Sequence, residues 1–295
     1  MNGGLGNQLF QYILYRFIEE NSGDDCYIDD SDFFHWNSHF GYEIKKIFGL
    51  TPNLLSEYFD NDVWKEVLAV TKDNINIIDF FKQNGLPMNV VSEGSMMVDA
   101  YSKRYKVPYI GVYTTLSANS YAPEIAQKKG NVYYYGYWIN AHWFQNIRDQ
   151  IIQELKFPDF DDDYNKNMAE KICSSHSVGI HVRRGDFIDY GWALDLKWYR
   201  SSITHMKLVI NDPVYYIFSD DLQFCRSNLE TLGFAKNDNI VFVEGNTGGK
   251  NWRDMQLISL CKNLIIANSS FSYLGALLNQ NPNKYVLNPT TRMII

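Results

Sequence analysis

The residues best placed to do chemistry are two adjacent arginines and an aspartate, in the run His181-Val182-Arg183-Arg184-Gly185-Asp186. A guanidinium is a planar fork of N–H donors that matches phosphate oxygens bidentately. An arginine pair can bind a pyrophosphate and stabilise its charge as it leaves. Taken alone, such a run also reads as a surface turn in which Asp186 pairs with an arginine. A second cluster, Asn268-Ser269-Ser270-Phe271-Ser272, leads into an apolar helix. Serine is a good N-cap, and the amides at a helix N-terminus bind anions. Capping explains one serine; capping with phosphate binding explains the group. Asp254, in Asn251-Trp252-Arg253-Asp254-Met255, is a first-turn acid favoured by the helix dipole. Its two oxygens could alternatively accept from the N1–H and exocyclic amine of a guanine. At the start of the chain, "MNGGLGNQLFQY" places a glycine-rich turn directly before an amphipathic run. Glycines let a backbone approach a diphosphate closely, and the amides that follow face its charge.

The elements that must hold these residues divide the chain unevenly. Leu9, Phe10, Ile13, Leu14 and Phe17 fall at helical spacing over 5–21. "CYIDD" at 26–30 and "VPYIGVY" at 107–113 read as strands, and 131–155 as a strand running into a helix. "KFPDFDDDYNKN" (156–167), with Pro158 and four aspartates, reads as a linker followed by a short helix. Domains of 1–160 and 161–295 follow. Beyond the linker, "SVGIHV", "VYYIF", "IVFV", "LIIA" and "YVL" are short apolar runs separated by helical stretches near 197–210, 221–231, 252–262 and 272–279. That alternation predicts a parallel sheet with helices on both faces. The polar groups "HVRRGD", "SDD" (Ser219, Asp220), "EGN" (Glu244) and "NSSFS" follow the first four of these strands. Ligands of open α/β sheets bind beyond the carboxyl ends of the strands, so the four groups describe one pocket. No strand precedes the glycine turn. Restoring one of ~6 residues, a typical strand length, is expected to add stability.

Bulk properties remove several function classes. The net charge is −7, the pI is near 5.4, and no block of Lys or Arg occurs. Nucleic acid and anionic membrane surfaces are therefore unsuitable partners. Cys26, Cys173, Cys225 and Cys261 are far apart, which suits reduced thiols better than a disulfide framework. Without a signal peptide or an apolar run of ~18 residues, a cytoplasmic protein, at most peripheral to the inner membrane face, is expected. Aromatic residues make up 16% of the chain and serve either cores or the ring-lined pockets that bind sugars and nucleosides. Asp161-Asp162-Asp163 has Asp-x-Asp metal spacing but lies in the linker, so no metal is expected. "GGLGNQ" lacks the G-x-G-x-x-G pattern, which argues against a dinucleotide oxidoreductase.

In order and spacing, "GGLGNQLFQY", "HVRRGD", "FSDD" and "NSSFSYLGALL" resemble the α-1,2-fucosyltransferases of glycosyltransferase family 11, over nearly the whole chain. The resemblance implies an α/β, GT-B-like fold of two Rossmann-like domains facing across a cleft. The N-terminal domain would be the acceptor side and the C-terminal domain would bind GDP-fucose. It also implies inverting transfer of L-fucose from GDP-β-L-fucose to the 2-hydroxyl of a galactoside, without a metal or other cofactor. Arg183 would bind the β-phosphate and Arg184 support the turn or donor. His181 and Asp254 would contact guanine, and Ser270 with the amide of Phe271 would hold phosphate. The loop Gly4, Leu5, Gly6, Asn7 and Gln8 would approach the pyrophosphate. Asp186, then Glu244, are the candidates for the base that takes the acceptor proton, although Asp186 could instead only hold the arginines. Tyr137, Trp138 and Asn140 lie in a segment similar to the family's "GYWQ", here with Ile139 replacing glutamine, and are the acceptor-side candidates. A GT-B transferase using another nucleotide sugar, or a non-catalytic carbohydrate-binding protein, are the alternatives.

Overall fold

The computed structural model describes residues 1–35, 39–72, 77–86, 88–94 and 113–289. The chain forms two compact units, Met1–Lys156 and Phe157–Ile295, and the division falls at the start of the stretch read as a linker.

In the first unit, α1 (Leu5–Ser22) follows the glycine turn directly and buries Leu5, Leu9, Phe10, Ile13, Leu14, Phe17 and Ile18. Gly23, in the left-handed region at φ 70°, ends it. Five helices follow among the described residues: α2 (Asp32–His35), α3 (Ile44–Phe48), α4 (Leu55–Tyr58), α5 (Asn61–Thr71) and α6 (Ile78–Gln83). Strands β1 (Asn89–Glu93), β2 (Tyr113–Leu116) and β3 (Val132–Tyr135) form a parallel sheet in the order β2-β1-β3, with α7 (Ala141–Asn146) and α8 (Arg148–Glu154) after it. The strand expected at 26–30 is only one bridge, Ile28 to Leu54. Its aspartates instead accept side-chain and cap bonds: Asp29 from the Tyr133 hydroxyl at 2.7 Å, and Asp30 from the Ser56 amide at 3.1 Å. The strand expected at 107–113 lies, up to its last residue, outside the described residues.

The second unit follows the alternation closely. Helix α9 (Asp163–Ser174) is capped by Asp162, whose carboxylate accepts from the Asn165 amide at 2.8 Å. Then come β4 (His176–Val182), α10 (Gly185–Asp189), α11 (Leu196–Val209), β5 (Pro213–Ser219), α12 (Leu222–Ser227), α13 (Leu229–Leu232) and β6 (Asn239–Phe242). The unit continues with α14 (Trp252–Leu260), β7 (Asn263–Ile265), α15 (Ser270–Leu278) and β8 (Tyr285–Leu287). All five strands are parallel, in the order β6-β5-β4-β7-β8. One face of β4 gives Val178, Ile180 and Val182 to a core with Tyr199, Ile203 and Met206 of α11. The other carries Gly179, where a Cβ would lie 2.8 Å from the Cys261 sulfur. A side chain there would push the residues leading into β7 away from the strand they pair with. All four cysteines are free thiols.

Candidate active site

The strand order runs outward in both directions from β4, so the chain reverses its winding between β4 and β7. That switch point is where an open α/β sheet leaves a crevice for ligand. The residues after β4 are held there by carboxylates just beyond the end of β5 and at the start of α10. Arg183 Nη1 lies 2.9 Å from Asp220 Oδ2, and its Nη2 donates to Asp186 Oδ1 at 2.6 Å. Its guanidinium also sits 5.3 Å from the Phe187 ring, and its buried Nε has no partner among the described residues. Arg184 donates its backbone N–H to Asp220 Oδ1 at 2.8 Å and its Nε to Asp221 Oδ2 at 3.3 Å, while its guanidinium stacks 3.3 Å over Phe224. Ser219 donates its hydroxyl to the Val182 carbonyl at 2.7 Å. Ser219 and Asp220 therefore act on the arginine turn itself. Gly185 has a steric reason as well, since a Cβ would stand 2.6 Å from Asp220 Oδ2.

Across the switch point, α15 starts at Ser270 with an extended Ser269 before it, whose side chain makes no cap bond. The first amides of a helix have no intrahelical acceptor. Asn268 donates to the Trp192 carbonyl at 2.8 Å, and its buried Oδ1 has no partner among the described residues. Ser272 is fully buried beneath this turn. The Phe271 ring lies 5.8 Å from the buried His181 ring. Burial, then the Arg183 charge, pushes the His181 imidazole down to about 3, so it is neutral, and its Nδ1 has no partner among the described residues. His181, Arg183, Arg184, Asp186, Ser219, Asp220 and the 268–272 cluster thus occupy the carboxyl ends of three adjacent strands.

Asp254 stands in the first turn of α14 and accepts from the Asn246 amide at 2.8 Å. Asn246 is fixed in turn by a reciprocal pair of 2.9 Å bonds with Asn165. Burial raises the Asp254 carboxyl to about 7, with the Asn246 bond opposing. Its neighbour Arg253 turns away, is buried, and holds the start of the unit through the Pro158 and Asp159 carbonyls at 3.0 and 3.1 Å and Asp161 at 2.7 Å. The aspartates with metal spacing are thereby engaged in an ion pair and a helix cap. No group of three or more His, Cys, Asp or Glu able to hold a metal occurs among the described residues. Glu244 is exposed, pairs with Arg226, and follows the edge strand β6, two strands away from β4.

In the first unit, Gly3 is left-handed at φ 83°, Leu5 is buried, and Gly6 lies within the first turn of α1. A Cβ on Gly4 would lie 3.4 Å from the His39 ring, and one on Gly3 2.8 Å from the Asn7 amide. Gln8 is fully buried. Its amide donates to the Gly3 and Gly41 carbonyls at 2.9 and 2.8 Å, and its oxygen accepts from the Glu43 N–H at 2.9 Å. Gln11 closes the turn through the Asn2 N–H and carbonyl at 3.2 and 2.8 Å. The glutamines of "GNQLFQ" therefore shape the loop, a role that only tertiary contacts reveal.

Of the acceptor-side candidates, Tyr137 is exposed and Trp138 is buried at φ 59°. Asn140 caps α7, accepting from the His142 amide at 2.9 Å. Glu93, which the sequence did not single out, organises this segment from the carboxyl end of β1. It accepts the N–H groups of Asn119 at 3.0 Å, Tyr137 at 2.9 Å and Trp138 at 2.7 Å. Gly136 leaves room for it, since a Cβ there would stand 2.7 Å from Glu93 Oε2.

The profile of Glycosyl transferase family 11 matches residues 112–293. An alpha-1,2-colitosyltransferase of Escherichia coli is 28% identical over 98% of this chain and 89% of its own length. A galactoside alpha-(1,2)-fucosyltransferase 1 of Leontopithecus chrysomelas is 22% identical over 50% of this chain and 43% of its own. Among solved structures, the NodZ alpha-1,6-fucosyltransferase of Bradyrhizobium superposes with a TM-score of 0.52 at 14% identity, over 93% of this chain and 89% of that one. That likeness is one of fold, and it makes the two-unit α/β architecture GT-B-like. With its family profile extending through the strand ends that carry the arginines and serines, the chain belongs to glycosyltransferase family 11 and is a glycosyltransferase of the fucosyltransferase kind.

Proposed function

We propose that the protein transfers L-fucose from GDP-β-L-fucose to the 2-hydroxyl of a galactoside by a single inverting displacement that needs no metal. The observation carrying this reading is the Arg183-Arg184 turn, fixed by Asp220 and Asp221 at the switch point beside a neutral His181 and the start of α15. In this mechanism the acceptor oxygen attacks the anomeric carbon opposite GDP, and the anomeric C–O bond breaks through an oxocarbenium-like transition state. The departing β-phosphate gains charge, which Arg183, Ser270 and the amide of Phe271 stabilise more than they do the ground state. Asp220 and Asp186 hold Arg183 in place, and Arg184, fixed by Asp220 and Asp221, supports the turn. His181 and Asp254 take the guanine, and the Gly4–Gln8 loop is a further donor-binding element, with Gln8 acting through the backbone it fixes. Asp186 is the preferred proton acceptor. Glu244 follows a strand two positions from β4, about 10 Å away at the ordinary spacing of neighbouring strands. Tyr137 is the acceptor-side side chain with an exposed ring. The absence of any helix long and apolar enough to cross a membrane, among the described residues, is compatible with work at the cytoplasmic face.

A second donor is favoured by one observation, the full-length likeness to a colitosyltransferase. Colitose is L-fucose without its 3-hydroxyl, so guanine and diphosphate contacts cannot tell the two donors apart. Thermal-shift titration with GDP, UDP, GDP-fucose and GDP-colitose tests the nucleotide, and turnover of the two sugars tests the donor. GDP ligands alone are expected to stabilise the protein. Arg183→Ala is expected to keep the fold and lower turnover by about 10²-fold or more, the size of losing one transition-state donor. Stabilisation by UDP but not GDP, or near-normal turnover by a folded Arg183→Ala protein, would overturn the reading.

A further inference from the structure

We propose that the exposed rings of Tyr190 and Trp192 form a sugar-binding subsite in the second unit, taking an uncharged pyranose of the acceptor by stacking. This rests on the glycosyl transfer proposed above and adds to it where the acceptor is gripped. Tyr190 and Trp192 are 62% and 57% exposed, whereas Trp138 and Trp143 are among the most completely buried side chains. The two rings lie 4.9 Å apart at 31°, and Phe187 meets the edge of Trp192 at 5.6 Å and 88°. They are not loosely held. The Trp192 N–H donates to the Phe187 carbonyl at 2.7 Å, and Gly191 takes the left-handed turn, φ 67°, that this needs. The Trp192 carbonyl accepts from Asn268, at the other side of the switch point, at 2.8 Å. Phe187, which props the platform, also carries the Arg183 guanidinium on its face at 5.3 Å. The platform is thus tied to both halves of the proposed phosphate site.

Charge decides what such a surface takes. From Gly185 to Leu196 the chain carries Asp186, Asp189 and Asp195 and no lysine or arginine. That rim disfavours phosphates, nucleic acid and anionic lipid, and the cation seen against it, Arg183 on the Phe187 ring, is already paired with Asp186. A pyranose suits it, because its C–H face is apolar enough for a ring and its peripheral hydroxyls donate to carboxylates. Pockets that bind such ligands combine aromatic walls with a few placed polar groups.

The test uses the whole chain, with lactose, N-acetyllactosamine and lacto-N-biose as probes. Initial rates are measured with GDP-fucose for Trp192→Ala, Tyr190→Ala and Trp192→Phe. In parallel, tryptophan emission is followed on adding each probe in the presence of GDP. Trp192→Ala is expected to raise the acceptor KM about tenfold, the size of one lost ring contact, with the KM for GDP-fucose and the melting temperature unchanged. Trp192→Phe should recover most of the affinity, and the emission change should vanish in both Trp192 variants. A Trp192-dependent emission change without any transfer from GDP-fucose would keep the subsite and sink the proposed fucosyl transfer. Transfer with unaltered acceptor KM in folded Trp192→Ala and Tyr190→Ala proteins would overturn the subsite. So would a change only in oligomeric state, which would make the rings a protein interface.

Discussion

At Arg183 a single guanidinium is shared between Asp220 and Asp186, so its position follows from two carboxylates on different elements. Asp254 is the residue whose own state can be read most directly. Its carboxyl is raised by burial from 3.8 to about 7, so the folded protein holds this proton more tightly than the unfolded chain. A raised carboxyl gives stability that is full below its unfolded value and lost as pH rises through the folded one. Thermal stability of the unliganded protein should therefore fall between about pH 4 and about pH 7, and Asp254→Asn should flatten part of that slope. Glu43, likewise raised to about 7 by burial, supplies a slope of the same sign that the variant keeps. Melting curves at closely spaced pH values decide this, and an identical slope in wild type and Asp254→Asn would contradict it. The substitution should also erase any preference for GDP over IDP, because inosine lacks the amine that a carboxylate at this position would accept from.

Elements explain why some residues were legible in the sequence and others were not. The five strands of the second unit announce themselves as short apolar runs between helical stretches, and each is present within a residue or two of its expected place. Their polar ends could be named in advance because a parallel sheet puts them all on one edge. The first unit hides its logic in tertiary contacts. Gln8 sits in a motif that invites a ligand role, yet its side chain bonds the Gly3 and Gly41 carbonyls and the Glu43 amide. "CYIDD" has strand composition, but its aspartates bond side chains and a helix start instead of extending a ladder. Glu93 gave no sequence signal, because its partners Asn119, Tyr137 and Trp138 are distant in the chain. Glu93→Gln replaces a carboxylate facing three N–H groups with an amide that itself brings donors. It should lower stability by about 1–3 kcal/mol, the range for a buried donor left unsatisfied. It should also raise the acceptor KM more than the donor KM, since it loosens the turn carrying Tyr137. Denaturant unfolding and two-substrate kinetics measure both effects, and equal changes in the two KM values would refute the assignment of this turn to the acceptor.

For the whole molecule, the acidic balance leaves phosphate recognition to local groups, and the chain folds as two compact units whose division falls where its sequence changes pattern. A doubly wound sheet with arginines and a helix start at its switch point suits a nucleotide diphosphate, and the family supplies the transfer of a sugar. Fold and family were readable because they rest on repeated local pattern and on four motifs in fixed order. The acceptor was not, because the residues proposed to grip it lie in turns whose shape depends on distant partners such as Glu93 and Asn268. The most direct measurement of the central claim is product analysis by NMR after incubation with GDP-fucose and lactose, N-acetyllactosamine or lacto-N-biose. An α-linked fucose on the galactose 2-hydroxyl of at least one acceptor, formed in the presence of a chelator, is expected. A fucose on any other hydroxyl, or transfer only from a nucleotide other than GDP, would contradict it.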